Sequence, residues 1–374
     1  MVWAHSGARL NVGREEPRSD PSGAPEAGGT LAGMTPTAHS KPLADSPSPR
    51  LPAPAESPQR QPAALLSQYA EVLATYRTCE LATVTRAGTP VTWPAVGWYD
   101  RSTGQIVLTT SIGLPTKAFN IRRDPRVALL FSDPTGSGRE DLPQVLVQGT
   151  AHCPDEIRTS PQGLESYWRD LWRRQPASSA YGSTPFDRWL FDFYYMRLVI
   201  TVTPTRVTSS PPLVRAAPLR GPQPARRDDS AYAQVTRQLP GYSDGVLATV
   251  VRDEPPVLRR VRPVADPSTG TLLLTEADPA GLTAVTSANL LLHRHDDQLG
   301  RLRQLGAVGA IEAGEEHVTL RPTRVLPGAE ATTPLSLART LRRLRGTTQR
   351  YLDRRGLSRP AIPWGDYHRL ASES

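Results

Sequence analysis

The feature that most restricts what this chain can fold into is that it repeats itself. Leu81-Ala82-Thr83-Val84 recurs as Leu247-Ala248-Thr249-Val250, at an offset of 166 (247 less 81). The same offset carries Asp100-Arg101-Ser102-Thr103-Gly104 onto Asp266-Pro267-Ser268-Thr269-Gly270, and Leu108-Thr109 onto Leu274-Thr275. Farther on, PQVLVQG at 143–149 is echoed by RQLGAVG at 303–309, and TPTRV at 203–207 by RPTRV at 321–325. The order is kept while the offset shrinks, so the second copy has the shorter loops. Such matches describe one domain written twice.

The first copy is strand-rich. LATVT, PVTWPAVGWY, QIVLTT, VALLF and QVLVQGTA carry β-branched and aromatic residues, with turn signals at 86–88 and 100–104. Thr116 to Arg123 has helical spacing and is stopped by Asp124-Pro125. Upstream, Leu65, Tyr69, Val72 and Leu73 share one face of a lead-in helix. After Ala151, Leu164, Trp168 and Leu171-Trp172 mark another helix, and Met196 to Val207 reads as a strand. The aromatic crowd from Trp189 to Tyr195 reads as a core cluster at helical spacing; its alternative is a wall beside a planar cofactor.

These patterns divide the chain. Residues 1–60, rich in Pro, Ala, Ser and Gly, cannot bury enough apolar surface to offset ordering entropy and read as a disordered leader, with Met34 an alternative start. The first domain spans 61–208, a Pro- and Arg-rich linker 209–229, and the degenerate second domain 230–328. In the basic tail, 329–374, Leu335, Leu337, Leu341, Leu344, Tyr351 and Leu352 suggest one or two amphipathic helices docked on their own barrel with arginines in water. Binding to nucleic acid is the lesser alternative, since aromatics do not alternate with the basic residues. Two cysteines, Cys79 and Cys153, exclude a disulfide scaffold but leave a single bridge open. No apolar run approaches ~18 residues and no secretory signal opens the chain, so a cytoplasmic protein without membrane contact is expected.

The net charge of +8 allows anionic ligands. Among 44 Lys+Arg, the lysines are Lys41, in the leader, and Lys117. A strand running out through Thr109, Thr110 and Ser111 into the helix of Thr116 and Lys117 would bring hydroxyls, helix-start N–H groups and an ammonium to one phosphate site. The competing reading is an ordinary surface lysine. At offset 166, Lys117 becomes Thr283 and Trp93 becomes Arg259. Arg259 lies beside Arg260 and Arg262, which share the opposite strand face. His293, His295, Asp296 and Asp297 are read as a solvated helix end: HxH on a helix splays its imidazoles about 200° apart, so no metal site is expected.

The run LATVTRAGTPVTWPAVGWYD, then IVLTTSIGLPTKAFNIRRDPRVALLF, then QVLVQGTA resembles the FMN-binding split barrel of the pyridoxamine 5'-phosphate oxidase-like family, which includes deazaflavin-dependent reductases. The resemblance covers most of 78–207. It implies a mainly β fold with flanking helices (α+β), here two tandem split β-barrels forming a pseudo-dimer within one chain, itself monomeric or further dimerised. It further implies that Lys117 holds a cofactor phosphate beside Thr109, Thr110, Ser111 and Thr116. Gln144 would approach the flavin ring, and Trp93, Pro94, Ala95 and Val96 would line the isoalloxazine edge, with Arg259 as the counterpart in the second site. Where the oxidases proper carry an arginine and a lysine on the second strand, this chain has Trp93 and Trp98, which favours the flavin and deazaflavin reductases. The implied cofactor is FMN, with deazaflavin as alternative, and the implied role is hydride transfer with a small organic substrate. Such barrels need no dedicated side-chain acid or base. A haem-binding split barrel using His293, His295 or His317, or an inactive scaffold, are the other readings.

Overall fold

The structure, a computed structural model, describes residues 62–214, 216–220, 228–282, 285–326, 328 and 334–373. The leader and Thr283 lie outside them. Two short helices, α1 (Pro62–Ser67) and α2 (Ala70–Thr75), stand where one lead-in helix was expected. The first copy continues with β1 (Cys79–Val84), β2 (Pro90–Ala95), β3 (Trp98–Asp100), β4 (Gln105–Ser111), α3 (Thr116–Arg123), β5 (Arg126–Phe131), β6 (Gln144–His152), α4 (Glu165–Arg174), α5 (Pro185–Tyr195) and β7 (Arg197–Ser210). The second comprises α6 (Ala231–Gln238), β8 (Gly245–Thr249), β9 (Val257–Asp266), β10 (Thr271–Thr275), β11 (Ser287–Arg294), β12 (Arg303–Ala313) and β13 (Val318–Leu326). Helices α7 (Pro334–Asp353) and α8 (Trp364–Ser372) follow.

The repeat is visible at the level of single hydrogen bonds. In each copy an aspartate turns the chain in the same way. Asp100 Oδ1 accepts from the Ser102 N–H and Asp266 Oδ1 from the Ser268 N–H, both at 2.9 Å. Gly104 and Gly270 then take φ of 71° and 68°, open to glycine at no steric cost. The β6–β7 ladder shifts register between Gln148 and Gly149, and β12–β13 between Val308 and Gly309. At both bulges a Cβ would overlap a carbonyl oxygen, that of Thr203 or of Arg321, so each site admits glycine alone.

The copies part company in their second strand. In the second copy β9 runs unbroken for 10 residues. It pairs with β8 through Val257–Val261 and with β10 through Arg262–Asp266, closing a six-stranded barrel. In the first copy the corresponding run is interrupted at Val96-Gly97. Its two pieces, β2 and β3, end up at opposite edges of a seven-stranded curled sheet, β2-β1-β5-β6-β7-β4-β3. The first barrel is therefore split where the second is sealed.

The tail helices belong to the first core. Leu341, Leu344, Tyr351, Leu352, Tyr367 and Leu370 are buried with Trp168 and Tyr195. Arg345 and Arg359 both pair with Asp192, and Arg355 with Asp155. Cys79 and Cys153 are free and buried, which removes the bridge left open by the sequence. Among the described residues no helix is long and apolar enough to cross a membrane.

The barrels meet along β1, β2 and β5 on one side and β8, β9 and β11 on the other, with the Thr92 N–H donating to Asn289 Oδ1 at 2.9 Å across the seam. Ala82, Ala128 and Leu130 pack against Val246, Ala248, Leu258 and Leu291. Beside this apolar strip lies a buried charge cluster. Arg260 donates to Glu80 Oε1 at 2.8 Å and to Ser132 Oγ at 2.9 Å, and also pairs with Asp244. His293 Nε2 reaches the same Glu80 oxygen at 2.7 Å, while His295 Nε2 lies 3.4 Å from Asp133. This corrects the helical reading of HxH. His293 is on strand β11 and His295 just beyond it, so period 2, not 3.6, puts both on the seam face, and both are buried rather than solvated. Burial lowers the His295 pKa against the pull of Asp133. Burial likewise disfavours the Asp133 carboxylate, yet the charges of His295, Arg260 and His293 outweigh it and hold that group well below the usual range.

Glu80 and Asp244 have no other cation among the described residues in this cluster than Arg260, histidines aside. Arg260→Met should therefore destabilise the chain by about 3–5 kcal/mol, the cost of leaving buried carboxylates unpaired. Denaturant unfolding of the variant would show it, and a change below about 1 kcal/mol would mean that the cluster is hydrated rather than dry.

Candidate functional site

The split between β2 and β3 opens onto a cavity inside the first copy. Ala95 and Val96 form one lip, and Leu108, Thr109, Thr110 and Ser111 of β4 run along one side. Lys117 enters from the first turn of α3, with Tyr167 (α4), Tyr194 (α5) and Arg197 (β7) completing the walls. Helix α3 is held in register by its flanks. Asp124 ends it with an extended backbone (φ −136°, ψ 105°), as the following proline demands, and Asn120 donates to Thr83 Oγ1 at 2.9 Å.

Lys117 is not an ordinary surface lysine. Its side chain is partly buried, and its Nζ lies 5.2 Å from the centroid of the Trp93 ring. Among the described residues no carboxylate pairs with it. Burial pushes its pKa down to about 8, and the nearby Arg197 charge adds to the effect. The charge of a bound anion would act against both.

The hydroxyls do a different job from the one expected. Thr110 Oγ1 donates to the Leu114 carbonyl at 2.9 Å. Ser111 Oγ donates to the Phe193 carbonyl at 2.5 Å and accepts from the Gly113 N–H at 3.0 Å. Their protons are committed to shaping the β4–α3 connection. Thr109 Oγ1 shares a 2.9 Å hydrogen bond with Tyr167 OH. That pair has two hydroxyl protons and uses one, which leaves the other for a ligand.

Of the residues singled out from sequence, Ala95, Val96, Thr109, Thr110, Ser111 and Lys117 line one cavity, and Trp93 supports Lys117 from below. Pro94 pairs with Glu80 in the ladder, and Thr116 opens α3 without reaching the cavity wall. The structure does not bring the other two there. Gln144 pairs with Ser210 at the far end of the 14-residue β7 and donates to the Pro211 carbonyl. Arg259 pairs with Leu247 in the second barrel and donates to the Asp278 carbonyl at 3.3 Å. Its position does match Trp93, since Leu81 faces Trp93 across β1–β2 as Leu247 faces Arg259. Phe193 and Tyr194 of the aromatic run face the cavity, whereas Tyr195 stacks on Trp168 and Trp189 is exposed. Sequence reasoning missed Tyr167 and Arg197. One sat in a helix read only for its apolar stripe, and the other is an arginine in an arginine-rich chain.

The family model described as pyridoxamine 5'-phosphate oxidase matches residues 65–206. Among solved structures, a conserved hypothetical protein of Mycobacterium tuberculosis is similar at 27% identity, over 39% of this chain and 83% of its own, with a TM-score of 0.28. An F420 reductase is similar at 24% identity, over 37% of this chain and 95% of its own, with a TM-score of 0.26. An FAD-binding protein of Mesorhizobium loti is similar at 18% identity, over 38% and 91%, also at 0.26. No curated protein matches the chain.

The depressed Lys117 pKa fixes a pH dependence for any anion held there. Below about pH 8 the free site carries its charge and affinity is level. Above it binding must take up a proton, so affinity falls as pH rises, approaching tenfold per unit. Titrating inorganic sulfate, whose charge is fixed over this range, by tryptophan quenching from pH 6.5 to 9.5 would show the fall. Lys117→Arg, charged throughout, should flatten it; an equally flat wild type would remove Lys117 from the anion's contacts.

Proposed function

Residues 65–206 belong to the pyridoxamine 5'-phosphate oxidase-like family, and from that premise we propose that the chain is a flavin- or deazaflavin-dependent oxidoreductase acting on a small organic substrate. The observation that carries this reading is the cavity beside the open strand, with an uncompensated Lys117 set over Trp93. A cation without a counter-ion in a partly buried cleft is what a phosphate-bearing cofactor requires, and each charge-assisted hydrogen bond to it is worth about 1.5–3 kcal/mol. The cofactor, when bound, supplies the hydride chemistry.

The chain's own residues would do the rest. Lys117 fixes the phosphate end. The Ala95–Val96 backbone borders the mouth of the cleft, and Leu81, Leu108 and Ile200 give the cleft an apolar floor that would exclude water. The Thr109–Tyr167 hydroxyl pair offers a hydrogen bond at the wall. The second barrel contributes none of the lining residues, and its unbroken β9 seals the equivalent gap. One working site per chain is the consequence. Haem ligation finds no support in His293 and His295, both of which are engaged by carboxylates in the seam.

FMN and a deazaflavin titrated into wild type and Lys117→Ala test the reading. Saturable binding that weakens at least about tenfold in the variant, some 1.4 kcal/mol, is the expected result. Failure of both cofactors to bind wild type would sink the oxidoreductase reading.

A further inference from the structure

Three arginines are buried among the described residues: Arg174, Arg197 and Arg260. Arg260 is paired with Glu80 and Asp244, and Arg174 with Asp170 at 2.8 Å. Arg197, 7% exposed, has no carboxylate within reach among the described residues. Neither its Nε nor its Nη2 finds an acceptor there.

What does hold Arg197 leaves those two N–H groups free. The guanidinium carbon sits 3.9 Å from the Tyr194 ring centroid and 5.2 Å from that of Trp168. Such contacts use the π-face of the rings and the flat face of the cation, and they orient the group without consuming a donor. Nε and Nη2 form one side of the planar fork, the edge that takes both oxygens of a carboxylate or two of a phosphate in parallel bonds. Arg197 opens β7 directly across from Ser111 on β4 and lines the same cavity as Lys117. A buried cation with no partner is costly to keep, and a fold that pairs its other two buried arginines has kept this one open.

We propose that Arg197 is an oxyanion-binding residue of the cavity, its Nε and Nη2 donating side-on to a carboxylate or phosphate of a bound molecule. This goes beyond the flavin reading, because it rests on Arg197's own geometry. The oxyanion has two potential sources, the cofactor phosphate also held by Lys117 or an acid group on a second molecule, the substrate.

Inorganic phosphate, acetate and FMN, titrated by tryptophan fluorescence into wild type, Arg197→Met and Arg197→Lys, test the assignment. Methionine keeps an apolar stem between Tyr194 and Trp168, and lysine keeps the charge while losing the fork. Loss of phosphate or acetate affinity by at least about tenfold in Arg197→Met, and by a smaller but clear factor in Arg197→Lys, is the expected result. Thermal unfolding without anion should show Arg197→Met no less stable than wild type, since an unpaired charge has gone. If FMN affinity falls in step with phosphate affinity, the oxyanion is the cofactor's. If FMN still binds while acetate is lost, it belongs to a second molecule. Unchanged anion affinity in both variants overturns the proposal and leaves Arg197 as a packing residue. Should FMN fail to bind wild type at all, the flavin reading falls and the phosphate and acetate titrations still decide Arg197.

Discussion

The structure turns on whether one strand of each copy can run through its barrel without a break. A continuous β9 satisfies its ladder on both sides, to β8 and to β10, and the barrel closes on an apolar core. A β-barrel so closed has no edge and no opening. The interruption at Val96-Gly97 forfeits that closure in the first copy and puts Ala95 and Val96 at the lip of a cleft. It is tolerated because other elements cover what the gap exposes. Helices α4 and α5 lie over β4 and β7, and the tail helices pack onto them in turn through Tyr367 against Trp168 and Tyr195. The tail is in this sense part of the first domain: its apolar face is buried in the same core.

Fusion of the two copies also frees the interface from self-complementarity. In a homodimer, every charge placed on one side of a twofold seam is placed on the other as well. Here the ladder positions of Glu80 and Pro94 in the first copy are held by Val246 and Arg260 in the second. The Glu80–Arg260 pair therefore occurs once, and its mate by symmetry is Val246 with Pro94, an apolar combination. Leu130 and Leu291, which face Glu80 and Val246 respectively, keep the apolar strip nearly symmetric. The seam is thus symmetric where shape matters and asymmetric where charge does. Such an arrangement fixes which barrel is which and forbids exchange of their roles.

Much of this was legible in the sequence because repeats and turns are local. The Asp-x-Ser-Thr-Gly turns and the bulge glycines Gly149 and Gly309 keep their residues, since a positive φ or a carbonyl that a Cβ would overlap excludes alternatives, and the Pro-Thr-Arg-Val strands recur opposite those bulges. The Lys117 cleft was legible for a compositional reason, the scarcity of lysine. The errors were of two kinds. SANLLLHRH reads as helical because Leu290 and Leu292 face the barrel core while Leu291 faces the seam, so an apolar run hides a strand whose two faces are both buried. Gln144 was placed by resemblance, and only the register of β6 against β7 reveals that it lies at the far end of the sheet. Arg197 was illegible because its meaning lies in what it lacks, and a missing partner has no sequence signal.

The charges of the chain sort themselves by that criterion. In the seam and the tail, buried and half-buried arginines are matched to carboxylates, Arg260 to Glu80 and Asp244, Arg345 and Arg359 to Asp192, Arg355 to Asp155. In the cleft, Lys117 and Arg197 face each other's repulsion across a wall of hydroxyls and aromatics, with no carboxylate among the described residues to relieve it. Matched charges hold a fold together and are silent toward ligands. Unmatched ones destabilise the empty state and would return that energy to a bound anion, which is the ground on which binding is proposed for these two residues. In the second barrel the strand is unbroken and Arg259, at the position of Trp93, is turned to the Asp278 carbonyl rather than to an open cleft.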